Sequence, residues 1–312
     1  MTFRTFSYLV FIGFFMTLPL WADVFHTRLF TRILIFALLA LSLDLVVGYG
    51  GMVSFGHAAF FGTGAYMTGM MSLHGITDAL VVWPAAAGAA MLIALPIGAL
   101  SLRTRGAYFI MITLAFAQMA YYFASGLETF GGSDGMRLLA RNTIAGKEIL
   151  VRHDFFYYAA AGSLAAAFLL CRRLTRSRFG LILGGIRQNE KRMQSLGYAT
   201  YPYQLTCFVI SAALAGLAGA LMANETLYIS PSYLHWTQSG HALVMVILGG
   251  LGTLAGPVLG AIVLLLLEEI LSAFTQHWMI VLGPLLILVV LYARGGLHGL
   301  WPQKKVSHAT TP

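Results

Sequence analysis

Residues 241–271 read HALVMVILGGLGTLAGPVLGAIVLLLLEEIL. This is about 31 residues of almost continuous apolar sequence, broken by Gly249, Gly250, Gly252, Gly256 and Pro257. A helix of roughly 20 residues crosses a bilayer, so the run is too long for one simple span. The glycines and the proline divide it, and it reads as two membrane segments joined at a break. Strict apolar–polar alternation, the mark of a barrel strand, is absent. Backbone in hydrocarbon must satisfy its hydrogen bonds within the segment, so such runs are helices.

The rest of the chain has the same character. Further apolar runs lie at 6–25, 33–47, 55–73, 79–102, 107–126, 154–171, 204–224 and 278–293. Only 10% of the 312 residues are charged and 59% are hydrophobic. Soluble domains carry roughly 25% charged residues, which this chain lacks for covering a surface in water. The expected fold is therefore all-α, a polytopic transmembrane helix bundle of about ten membrane segments. It forms a single membrane domain over residues 1–300, followed by a tail at 301–312. The run 6–25 reads as an uncleaved first span, because Leu20 stands where a signal peptide needs a small residue before Ala22.

Lysine and arginine set the orientation. The stretch 172–192 holds Arg172, Arg173, Arg176, Arg178, Arg187, Lys191 and Arg192, with Glu190 its only acid. It belongs in the cytoplasm, and alternation from there places both termini inside and loops 127–153 and 225–240 outside. Arg28 and Arg32 fit this scheme badly, since they fall at an outer end. The net charge of +8 thus reports topology rather than nucleic-acid binding. Cys171 and Cys207 make neither a disulfide framework nor a metal spacing.

A second glycine-rich break echoes the first. Gly48-Tyr49-Gly50-Gly51-Met52-Val53-Ser54-Phe55-Gly56-His57 occupies a place in the first half comparable to that of Gly249–Pro257 in the second. The expected architecture thus has two loosely related halves with glycine-broken helices. Paired interruptions of this kind point to the substrate route in transporters with repeated halves. The candidates are Gly50, Gly51, Ser54, Gly56 and His57, with Gly249, Gly250, Gly252 and Thr253. The alternative is that the glycines serve only close helix packing.

No catalytic constellation is present. No stretch matches a phosphate-binding Gly-x-x-x-x-Gly-Lys-Ser/Thr loop, and the nine histidines lack metal-ligand spacing. No metal and no cofactor are expected. Asp44, His57, Glu268 and Glu269 are the ionisable residues inside apolar runs, and such residues are often functional. Asp44 could bond backbone exposed at the adjacent glycine break, and Glu268 and Glu269 are expected at a membrane surface. The basic segment predicts a short helix over 187–196 that stops at Gly197. Arg187 and Glu190 could pair on one face of it, while Met193 and Leu196 offer apolar contact to a partner. The alternative is a loop that only sets topology.

Several of these stretches carry a resemblance. Gly48 to Tyr66, Ile112 to Gln118 with Gly131-Gly132-Ser133-Asp134-Gly135, Phe179 to Gly197, and Met245 to Ala261 follow one another in the order of the branched-chain amino acid ABC permeases of the LivM kind. The chain resembles that family over roughly 30–300. The resemblance implies a non-enzymatic permease subunit of an ATP-binding cassette importer, in the inner (plasma) membrane of a bacterium. Its implied partners are cytoplasmic ATPase subunits, a second related permease chain, a periplasmic substrate-binding protein and the lipid bilayer. Segment 172–203 would contact the ATPase, with Arg187, Glu190, Met193, Leu196 and Gly197 as the coupling residues. Glu190-Lys191-Arg192-Met193 departs from the family, which often has small residues after the glutamate. Urea-transport permeases look similar, so a urea or short-amide substrate stays open. An ion-coupled carrier is the rival of another class, but it would need a chain of ionisable groups across the bilayer.

Overall fold

A computed structural model of the chain describes residues 19, 23–275, 277, 279–284, 287 and 296–299. The apolar runs 6–25 and 278–293 lie largely outside the described residues, and the tail 301–312 wholly so. Ten helices and one short strand pair carry the argument. They are α1 (Val24–Asp44), α2 (His57–Leu73), α3 (Ala79–Ser101), α4 (Ala107–Gly126), α5 (His153–Arg176), α6 (Arg178–Gln188), α7 (Glu190–Ser195), α8 (Thr200–Thr226), α9 (Trp236–Gly249) and α10 (Gly256–Phe274).

Among the described residues, six helical stretches are long and apolar enough to cross a membrane. These are Val24–Tyr49, which is α1 with its π-helical extension, then α3, α4, α5, α8 and α10. The shorter α2 and α9, at 17 and 14 residues, complete the bundle. Against the expectation of about ten segments, the described residues hold six clear spans. The run 241–271 does divide at its glycines, into α9 and α10.

Burial separates the helices into two classes. In α1, 89% of the apolar window is buried, and in α8 72%, whereas α3, α4, α5 and α10 bury only 22–33%. α1 and α8 therefore form the core, and the others present apolar side chains outward. In water that surface would be costly; in lipid it is neutral, which is why these helices can be apolar all round.

What holds membrane helices together is close approach of small residues. α2 and α8 meet along Gly64, Gly216 and Gly219: a Cβ on Gly64 would lie 1.9 Å from the Gly216 carbonyl oxygen, and one on Gly219 1.8 Å from that of Phe61. α3 joins the same seam through Ala86 and Ala90, and a Cβ on Gly216 would sit 2.5 Å from that of Ala90.

The loop between α4 and α5 carries the one short strand pairing among the described residues of an otherwise all-α bundle. Its strand β1 (Met136–Arg137) pairs antiparallel with β2 (Tyr228–Ile229), just after α8. The Tyr228 hydroxyl also donates to the Asp134 carbonyl. This end of the bundle, the loop end, is thereby tied together. α6 and α7 mark the opposite, basic end.

The basic segment is not one helix over 187–196. It is α6 and α7, separated at Asn189, whose backbone is extended and whose side chain accepts a hydrogen bond from the Arg192 N–H at 3.0 Å. Asparagine competes with the backbone in this way and so starts a helix better than it continues one. Gly197 follows with φ +86°, the left-handed conformation that glycine adopts past a helix end.

Candidate functional site: two glycine breaks and a basic segment

α1 ends in a buried stretch of regular helix and then loosens into a π-helical turn, Leu45–Tyr49. Such turns widen the backbone and free carbonyls, often where a protein works. The chain then runs without regular structure through Gly50–Gly56 before α2 begins. The second break, between α9 and α10, passes through Gly250 (φ +116°) and Gly252 (φ +73°). Side chains rarely adopt such angles, so glycine is required there.

The two breaks meet. The Gly252 N–H donates to Asp44 Oδ1 at 2.8 Å, linking residues 208 apart in sequence. Gly48 lies between them: a Cβ there would be 2.1 Å from Asp44 Oδ1 and 2.5 Å from the Gly252 nitrogen. Asp44 thus bonds backbone at a glycine break, but at the distant one rather than the adjacent one. Its side chain is fully buried, and Oδ2 has no hydrogen-bond partner.

The basic segment reaches the same point. Arg187, at the end of α6, donates from Nη1 to the Gly48 carbonyl. Its stem passes Gly51, where a Cβ would lie 2.9 Å from Arg187 Cγ, and Nη1 would be 3.0 Å from a Cβ on Gly252. The expected Arg187–Glu190 pair does not form, because the bend at Asn189 turns the two residues apart. Glu190 instead pairs with Arg105 at 3.0 Å and accepts from the Thr200 hydroxyl at 3.1 Å. Met193 packs back onto Gly185 within the segment, while Leu196 is exposed.

A cavity of about 320 Å³ opens between these groups. Gly50, Gly51, Arg105, Phe109, Arg187 and Glu190 are among its lining residues. Ser54, Gly56 and His57 are not among them, and neither are Gly249, Gly250, Gly252 and Thr253 of the second break. His57 is fully buried, with Nε2 2.7 Å from Ser211 Oγ, which in turn donates to the Ser42 carbonyl. Thr253 caps its own turn by donating to the Gly250 carbonyl at 2.7 Å. Glu268 turns inward to His241 Nε2 at 2.6 Å, bracing α9 against α10, rather than standing free at a surface.

A second cluster sits at the loop end. Glu225, near the end of α8, accepts from Arg141 at 3.1 Å and lies 3.8 Å from Arg28. Arg141 also donates to the carbonyls of Asn224, Leu150 and Val151, contacts His153, and stacks on Phe156. Burial lowers the Arg141 pKa, and the Glu225 carboxylate opposes that shift. Arg28 fits the lysine–arginine pattern badly because it has a partner here. Nothing in the local sequence of Glu225 or Arg141 announces the pairing, since they lie 84 residues apart.

Six apolar spans, of which α1 and α8 form the core, together with the glycine breaks define a multi-pass membrane protein. The chain belongs to the family described as branched-chain amino acid transport system / permease component, whose profile matches residues 26–290. It is 29% identical over 306 residues to the high-affinity branched-chain amino acid transport system permease protein LivM of Escherichia coli (strain K12), covering 89% of this chain and 71% of that one. It is 28% identical to LivM of Salmonella typhimurium (strain LT2), covering 86% and 68%. LivH of the same E. coli strain is 26% identical, covering 87% of this chain and 93% of its own. No solved structure matches the chain.

Proposed function

We propose that this chain is the permease subunit of an ATP-binding cassette importer that moves branched-chain or similar hydrophobic amino acids into the cell. The observation that carries the reading is the convergence of three separate sequence segments, all inside the region that the family profile covers. The first glycine break and the end of the basic segment line one cavity, and the second break is joined to the first by the hydrogen bond from Gly252 to Asp44. In this reading residues 1–300 form one permease domain of about ten membrane segments in two loosely related halves. The tail 301–312 and both termini are cytoplasmic, and the domain lies in a bacterial inner membrane.

The pathway runs by the breaks. Gly50, Gly51, Gly249, Gly250 and Gly252 give it backbone that can change conformation, with Ser54, Gly56, His57 and Thr253 supporting it from behind. Segment 172–203 docks a cytoplasmic ATPase through Glu190, Met193, Leu196 and the turn at Gly197. A second, related permease chain completes the pathway, and a periplasmic binding protein delivers substrate. ATP and substrate binding shift the balance between two conformations.

Reconstitution tests the proposal. Proteoliposomes holding this chain with its partner permease and ATPase should accumulate labelled leucine, isoleucine or valine only with ATP and loaded binding protein. Uptake of urea instead would reassign the substrate, and uptake driven by an ion gradient without ATP would end the importer reading. Orientation has its own test. Ser133 and Ser195 are both exposed, and the native Cys171 and Cys207 are buried, so single cysteines at the serines report cleanly. An impermeant thiol reagent outside intact cells should label Ser133→Cys and spare Ser195→Cys; the reverse would invert the topology.

A further inference from the structure

We infer that Arg187 is the mechanical link between the ATPase-docking segment and the two glycine breaks, a positioning residue that acts inward rather than a docking residue that acts outward. The inference rests on the importer reading and adds how force crosses this chain.

Arg187 is an exposed residue at the last turn of α6, yet its guanidinium leaves the surface and donates to the Gly48 carbonyl. That carbonyl belongs to the π-helical turn that ends α1. Just before that turn, Asp44 at the end of α1 holds the Gly252 N–H of the second break at 2.8 Å. One side chain therefore ties α6 to the first break directly and to the second through Gly48 and Asp44. No other charged residue of the basic segment does this. Glu190 is spent on Arg105, and Arg172, Arg173 and Arg176 are exposed without an ion pair among the described residues.

The glycines fit the same account. Gly48, Gly51 and Gly252 stand where a side chain would collide with Asp44 or Arg187. Gly51 and Gly252 leave room for the Arg187 side chain, and Gly48 leaves room for Asp44 and for the Gly252 backbone. Arg187 also suits the task chemically. Its planar fork offers several donors in a fixed geometry. A hydrogen bond from a charged donor is among the stronger ones, and it can re-form on a new carbonyl as the turn shifts.

The same geometry shows why a free docking role is excluded for the guanidinium. A group already bonded to Gly48 and packed beside Gly252 would have to abandon both to reach a partner protein. The Asp44 carboxyl, whose Oδ2 is unpartnered, offers a further hydrogen-bond acceptor on the inner side.

The test is the ratio of amino acid transported to ATP hydrolysed in the reconstituted complex, together with ATPase association by co-purification. In R187Q the ratio should fall about tenfold, the loss expected for one charge-assisted hydrogen bond. R187K keeps a cation and a donor but loses the fork, and its ratio should fall by only a few-fold. Association with the ATPase should stay within twofold of wild type in both. An unchanged ratio overturns the link, as does loss of ATPase association, which would make Arg187 a docking residue. Should R187Q fail to accumulate, R187K decides alone, a normal ratio there being fatal to the proposal. A wild-type complex that transports nothing would instead end the importer reading itself.

Discussion

Two clusters of charge lie at opposite ends of the bundle, and they are built on opposite plans. At the loop end, Arg141 is 4% exposed and each of its donor groups has a partner: Glu225, His153 and three carbonyls. At the basic end, Asp44 is fully buried with one oxygen unpartnered, beside a π-helical turn, glycines at positive φ and an open cavity. A fully bonded polar network rigidifies its surroundings, whereas a partly bonded one has alternatives within reach. The loop end is a staple, tying α8, α5 and the α4–α5 loop into one piece. The basic end is a joint.

The sharpest way to break this contrast is to cut the staple. Arg141→Ala leaves Glu225 buried with only the longer contact to Arg28, and orphaning a buried charge costs about 3 kcal/mol or more. The denaturation midpoint of the purified protein should drop accordingly. A change below about 1 kcal/mol would show that the network is slack after all.

The joint should respond in function instead. Gly252→Val forces a β-branched residue into φ +73° and against the Arg187 guanidinium, a local strain of about 1–3 kcal/mol. Uptake should fall at least about tenfold while the protein still accumulates. If the variant transports normally, the break is not part of the pathway. If it fails to accumulate, the break is a structural element like the loop end.

The smallest effect is expected at Arg105–Glu190, which borders the joint without belonging to it. Arg105 is 59% exposed, and exposed pairs contribute little. Arg105→Gln should move stability by less than about 1 kcal/mol, read from the same denaturation curves. A larger loss would extend the rigid part of the molecule into the docking segment.

Much of this was legible residue by residue. The break at Gly249–Pro257 follows from a run too long for one span, and the stop at Gly197 from glycine past a helix end. The break of the basic helix at Asn189 is also open to view, since asparagine is a preferred helix cap, but a helix read from its stop at Gly197 runs through it. Asp44 was recognisable as a buried acid near exposed backbone; which backbone was not. Arg28 looked like a misplaced charge because its partner, Glu225, lies 197 positions away, and no local rule spans that distance.

The sequence by itself determined the solvent, the helices and the places where they break. These depend on hydropathy and on backbone preferences, and both act within a few residues. Only the tertiary structure decided that the two breaks touch, that Arg187 turns inward to them, and that Arg141 and Glu225 close the far end. Those facts depend on which helix faces meet. In a membrane that choice is made by small residues such as Gly64, Gly216 and Gly219 allowing close approach, and not by apolar pattern, because the lipid is as apolar as the helices themselves.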